Sequence, residues 1–263
     1  MREEVLTYRK PYILRELNTI IAVIAREIIL FFKSPGTMIM ILVMPLFMMG
    51  MIGGNMMGIA GGENLGEFML VGMLVNMLFM VTAMGMSSLV DDHETDFNQE
   101  MLVAPISRYS IVIGKILGST FAAIVSMVGT LIVGLVMNIT LPLEQLLLIL
   151  LLSPLMCFAG GAMSMILIGL IKNKKTANFA VMLIVMPQMF LSGAIIPINE
   201  SNIVLLALSR VMPMTYCIDL VRAITGVGTP MFNPLINFIM IIILTLVCLV
   251  IGTFFFASSE KNR

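Results

Sequence analysis

Residues 234–257 read PLINFIMIIILTLVCLVIGTFFFA, without one charged side chain. A helix needs about 20 consecutive apolar residues to cross a hydrocarbon core roughly 30 Å thick, and this run exceeds that. Comparable runs recur at about 37–59, 66–90, 111–137, 145–171 and 179–198. Charged residues make up only 11% of the 263, against about a quarter in soluble domains, so the chain lacks the polar surface that a water-exposed fold needs. The sequence therefore predicts an all-α integral membrane protein, a single domain over 1–263 with six transmembrane helices in the lipid bilayer. The twenty-eight Met residues, and Cys157, Cys217 and Cys248 at wide spacing, read as apolar packing rather than as a ligand set.

Two segments break the pattern. In 12–33, Leu17, Ile20, Ile21, Ile24, Ile28 and Phe31 recur at helical spacing, with Arg15, Thr19, Ala22 and Arg26 on the other side. Arg26 and Glu27 near its middle make this a poor span, and an amphipathic helix lying at the membrane surface is expected. Residues 199–233 hold Glu200, Arg210, Pro213, Asp219 and Arg222 among apolar pieces too short to cross. Such pieces can dip into a bilayer and return where protein shields their backbone. Gly50, Gly54, Gly58 and Gly62 form a small-residue stripe suited to close helix packing.

Cationic residues set the orientation, because they collect on the cytoplasmic side. With the N-terminus inside, that side holds Arg2, Arg9, Lys10, Arg15, Arg26, Lys33, Arg108, Lys115, Lys172, Lys174, Lys175, Lys261 and Arg263. Only Arg210 and Arg222 fall outside. Thirteen against two predicts a multi-pass protein of the plasma (cytoplasmic) membrane with both termini cytoplasmic and 199–233 extracytoplasmic.

Several chemistries lack their residues. His93 is the one histidine, in an acidic loop with Asp91, Asp92, Glu94 and Asp96, which argues against histidine metal sites and Ser-His catalysis. That removes the basis for a membrane-embedded enzyme. The polar groups expected inside the spans are neutral (Asn76, Ser126, Asn178 and Gln188), whereas ion-driven transport relies on buried ionisable groups. A phosphate-binding loop needs Gly-Lys-Ser/Thr, and the one Gly-Lys pair, Gly114-Lys115, is followed by Ile116. No nucleotide, metal, other cofactor or nucleic acid is expected on this chain. A passive channel or a purely structural membrane protein is the alternative that composition leaves open.

The segment ETDFNQEMLVAPISR at 94–108, followed by Gly114-Lys115-Ile116-Leu117-Gly118, resembles the cytoplasmic signature of ABC type-2 permeases. The stretch PQMFLSGAIIP at 187–197 is similar to that family's fifth span, and Met212-Pro213-Met214-Thr215-Tyr216 with Asp219 and Arg222 is similar to the motif before its last span. The resemblance implies that 94–108 is a coupling helix whose Asn98, Glu100, Met101, Leu102, Ala104, Pro105 and Arg108 meet a groove on a separate ATPase. It implies that 12–33, with Arg15 and Arg26, is an interface helix touching the same partner. It also implies that 199–233, with Pro213, Asp219 and Arg222 and with Pro197 just before it, forms re-entrant helices. Two ATPase subunits carrying ATP and Mg, and a second permease copy or a paralogue, complete the expected assembly. The implied activity is export of a drug-like or amphiphilic compound (multidrug type), with polysaccharide or lipid export as the alternative within the family.

Overall fold

Residues 12–48, 50–51, 65–89, 107–171, 174–195 and 203–261 are described by a computed structural model. Their elements are α1 (Tyr12–Lys33), α2 (Pro35–Met48), α3 (Leu65–Gly85), α4 (Arg108–Val136), α5 (Leu143–Ile168), α6 (Lys174–Leu191), α7 (Ile203–Val211), α8 (Pro213–Thr225) and α9 (Pro234–Lys261). Among the described residues, Gly66–Gly85, Tyr109–Val136, Leu143–Ile168 and Pro234–Phe255 are each long and apolar enough to cross a membrane. Two sharply bent pairs join them: Glu16–Lys33 with Met38–Phe47 at 84°, and Val204–Val211 with Pro213–Thr225 at 91°. The chain is an all-α membrane protein.

Helix α3 is the axis of the bundle. Its residues from Met69 to Phe79 are buried on every side, against α4, α5, α6 and α8. A helix apolar all round needs such a wrapping. Helix α9 packs on α5 and α8 and turns Leu235, Ile239, Leu246, Val250 and Phe254 outward. In a soluble protein that surface would be a liability; against lipid tails it is the expected face.

The neutral polar residues expected inside the spans mostly join helices. Asn76 Nδ2 points at Met214 Sδ at 3.9 Å, Gln188 Nε2 lies 2.8 Å from Met163 Sδ, and Ser87 Oγ lies 2.5 Å from Asn178 Oδ1. The last contact ties the end of α3 to the start of α6. At the opposite end, Gln145 at the start of α5 donates to the Thr225 carbonyl at 2.9 Å. Starts and ends of successive helices thus alternate, as crossings in opposite directions require.

The sequence boundaries of the last four spans fall within a few residues of α4, α5 and α9, while α6 begins earlier, at Lys174, and ends at Leu191 in a turn through 192–195. Residues 52–64, and with them Gly54, Gly58 and Gly62, lie outside the described residues; Gly50 has open space around it.

Candidate functional site

Polar side chains gather at both ends of the bundle. At the end where α4 begins, α1 lies alongside it in parallel. Glu16 faces Ser107, Val23 faces Gly114 and Glu27 faces Gly118, all at the same sequence offset. Two glycines four apart make a notch that lets the backbones approach. A Cβ at Gly114 would come within 3.0 Å of Val23 Cβ, and one at Gly118 within 2.6 Å of Glu27 Cβ. Further along, Phe31 and Phe32 pack on Phe121 with ring centroids 6.0 and 5.8 Å away.

Within this seam the two glutamates do different things. The Ser107 N–H donates to both carboxylate oxygens of Glu16, at 3.1 Å each. Ser107 is the N-cap of α4 and its own side chain makes no cap bond. In a capping box the third helical residue reaches back to that N–H; here the third residue is Ser110, and Glu16 of α1 supplies the carboxylate. The positive end of the α4 dipole favours it further. Glu27 meets Lys115 Nζ at 3.2 Å, with Lys115 only 1% exposed, and Arg26 Nη1 lies 3.5 Å from the same oxygen. Helix α4 has 29 residues, about 43 Å at 1.5 Å per residue, longer than the ~30 Å hydrocarbon core. Lys115 stands about 10 Å from its start, so the ion pair falls near the membrane boundary.

At the end where α9 begins, the bent pair α7–α8 is anchored by its charges. The corner is set by Met212, extended at φ −86 and ψ 121, and by Pro213 in the first turn of α8. Proline excludes the helical conformation from the residue before it yet suits a helix start. Tyr216 Oη donates to the Arg210 carbonyl across this corner at 2.6 Å, and its ring stacks on Phe232. Gly226, left-handed at φ 67, ends α8.

Asp219, 4% exposed, then gathers the returning loop. It accepts from Met231 N at 2.7 Å, Phe232 N at 2.9 Å and Asn237 Nδ2 at 2.7 Å, the last on the first turn of α9. Arg222 does not pair with it. Its Nη2 donates to the Gly193 carbonyl at 2.7 Å, and its guanidinium lies 3.5 Å over the centre of the Phe68 ring, a cation–π contact. Asp219 therefore fastens α8 to α9, and Arg222 fastens it to the ends of α6 and α3.

Gly72 belongs to the same joint, because a Cβ there would overlap the Ala194 carbonyl. That neighbour is backbone and cannot swing aside, so Gly72→Ala is expected to cost about 1–3 kcal/mol. A thiol dye that reads exposure of the buried Cys157 and Cys217 during melting in detergent checks this. An unchanged melting midpoint would show that the α6 turn yields freely.

The residues singled out by sequence divide three ways. Asn98, Glu100, Met101, Leu102, Ala104, Pro105 and Pro197 lie outside the described residues, as do His93 and its acidic neighbours. Arg15 and Arg108 are placed in α1 and α4, their side chains outside what is described. Arg26, Pro213, Asp219 and Arg222 take the positions above. One sequence expectation needs correction. Buried polar groups are not all neutral, since Lys115, Asp219 and Arg222 are each at most 7% exposed. A lysine inside a predicted span was the available signal, with Glu27 in the middle of amphipathic α1 as its complement. The apolar face read from 12–33 also splits, with Phe31 buried on α4 while Leu17 and Ile21 stay exposed.

With the geometry in place, one comparison is informative. The family model described as ABC-2 type transporter matches residues 18–226. That range runs from α1 through Gly226, the residue that ends α8, and takes in Glu27, Lys115, Asp219 and Arg222 but not Glu16, Met231, Phe232 or Asn237. No curated protein matches the chain.

Proposed function

This chain belongs to the ABC-2 type transporter family, and from that membership we propose that it works as the permease subunit of an ATP-driven exporter. As a member it is the membrane-spanning component of such a transporter, a class that operates with an ATPase subunit. The finer reading is ours. Two ATPase subunits, holding ATP and Mg, dock on the 94–108 segments of two permeases, which are two copies of this chain or one copy and a relative. This chain itself binds no nucleotide, and its one Gly-Lys pair, Gly114-Lys115, is spent inside the α1–α4 seam.

The observation that carries the reading is the family match across 18–226, which encloses 94–108 between α3 and α4. Charge supports the orientation: the sequence assigns thirteen cations to the side of 94–108 and of both termini, against Arg210 and Arg222. We assign that side to the cytoplasm of the plasma membrane. The seam between α1 and α4 supports a route for force, because Glu16 grips α4 at Ser107, where 94–108 hands over to the span. Movement of the ATPases would then be passed to α4 and α1 as one body. The cargo is a drug-like or amphiphilic compound; four Tyr and no Trp make a poor lining for a polysaccharide path.

The test is co-purification. A C-terminally tagged protein, extracted from its native membrane in mild detergent, is expected to bring down a stoichiometric ATPase with a Gly-Lys-Ser/Thr loop. Met101→Asp with Leu102→Asp buries two charges in an apolar contact, at several kcal/mol, and is expected to release that ATPase while leaving the melting midpoint unchanged. Full export by the double variant, or a wild-type protein that is always recovered alone, would refute the coupled reading.

A further inference from the structure

A cavity of about 50 Å³ opens at the end where α9 begins, walled by Phe68, Ser192, Thr215, Asp219, Arg222 and Met231. Its volume suits about three waters at ~15 Å³ each, or one small ion. Three polar atoms on this wall have no hydrogen-bond partner among the described residues: Arg222 Nε, Ser192 Oγ and Thr215 Oγ1. All three can donate. Their residues are 7%, 2% and 1% exposed, so bulk water does not serve them.

We propose that this cavity is a binding site for a small monovalent anion of chloride size. The three unpartnered donors point that way. Among the described residues no carboxylate lies within ion-pairing distance of Arg222, whose partners are the Gly193 carbonyl and the Phe68 ring. The Asp219 carboxylate on the same wall acts on Arg222 through space without a direct ion pair, and Nε with the two hydroxyls is left to donate to an anion. Asp219 shares the wall but does not make this a cation site. Met231 N, Phe232 N and Asn237 Nδ2 already occupy three of its about four acceptor positions. Its negative charge does limit affinity, which we place on the order of millimolar. Ser192 follows α6, Thr215 and Arg222 stand on α8, and Phe68 on α3, so an anion here would bridge the three elements that Arg222 joins. The site stands on geometry alone and does not depend on the transport reading.

The experiment is a melting titration of the purified full chain in detergent, with chloride exchanged for gluconate at constant ionic strength. A ligand that binds only the folded state raises the midpoint as its concentration passes Kd. The expected result is a saturable rise with chloride, reproduced by bromide. In Ser192→Ala with Thr215→Val the half-saturating concentration is expected to rise about tenfold or more, as loss of charge-assisted hydrogen bonds dictates. Thr215→Val alone serves if the pair does not purify. A midpoint indifferent to chloride means the cavity holds water only, and an equal response in the variants means an adventitious ion elsewhere. Either result overturns the proposal.

Discussion

Asp219→Ala is expected to lower stability by about 3–5 kcal/mol, one of the two largest effects of a single substitution in this chain. The reason is the number of donors stranded at once. The Met231 and Phe232 N–H groups and the Asn237 amide all end on the Asp219 carboxylate, and a buried donor left unpaired costs roughly 1–3 kcal/mol. Water reaches Met231 and Phe232 in part, but Asn237 is fully buried, which keeps the sum below the maximum. In melting terms the loss is roughly 10 °C. Asp219→Asn should fall between the two, since its one carbonyl oxygen can serve one or two donors while its amide NH₂ opposes another. The damage should also be local in order: the loop 226–233 would free itself from α8 before the bundle opens, so limited proteolysis should cut there first. An Asp219→Ala protein that melts with the wild type and resists cleavage in that loop would mean that Asn237 and the loop amides find other partners.

This network shows how far the sequence could be read. Pro213 and the pair Asp219 and Arg222 set 199–233 apart from the long apolar runs, and the structure has a 91° corner at Met212-Pro213. The long helices were legible because lipid demands continuous apolar runs, a strictly local property. What was not legible is pairing at a distance. Asp219 and Arg222 stand one turn apart on α8 and invite a mutual salt bridge, yet one turns to α9 and the other to the α6 turn. Nothing in spacing decides between these options; only the surrounding backbone amides and carbonyls do. Glycine spacing does not say by itself which notch a partner helix fills: among the described residues it is the Gly114 and Gly118 pair. It is occupied by a helix whose glutamate had read as a reason to keep it at the membrane surface.

The second large effect lies in that seam. Lys115→Met is expected to cost about 3–5 kcal/mol, because it strands Glu27 in a contact where side-chain exposure is 12% for Glu27 and 1% for Lys115. Breaking a buried pair from one side is far more damaging than removing both partners. The double variant, Lys115→Met with Glu27→Met, should therefore recover most of the loss, and the melting midpoint should return toward wild type. Arg26, 3.5 Å from the same Glu27 oxygen and more exposed, softens the single variant without replacing a lysine that reaches in from α4. Stability and transport should then separate. The apolar pair keeps α1 on its glycine notch but removes the charged contact that fixes its register against α4, while the tie of Glu16 to Ser107 stays in place. If α1 and α4 pass force from the ATPase as one body, the double variant should retain ATP hydrolysis and lose a substantial part of its export. If export and hydrolysis stay in their wild-type proportion, the Lys115–Glu27 pair serves folding alone and the force runs through α4 without α1. Should the double variant prove as unstable as the single one, then the pair is not the source of the loss and Lys115 is held for its other contacts in the seam.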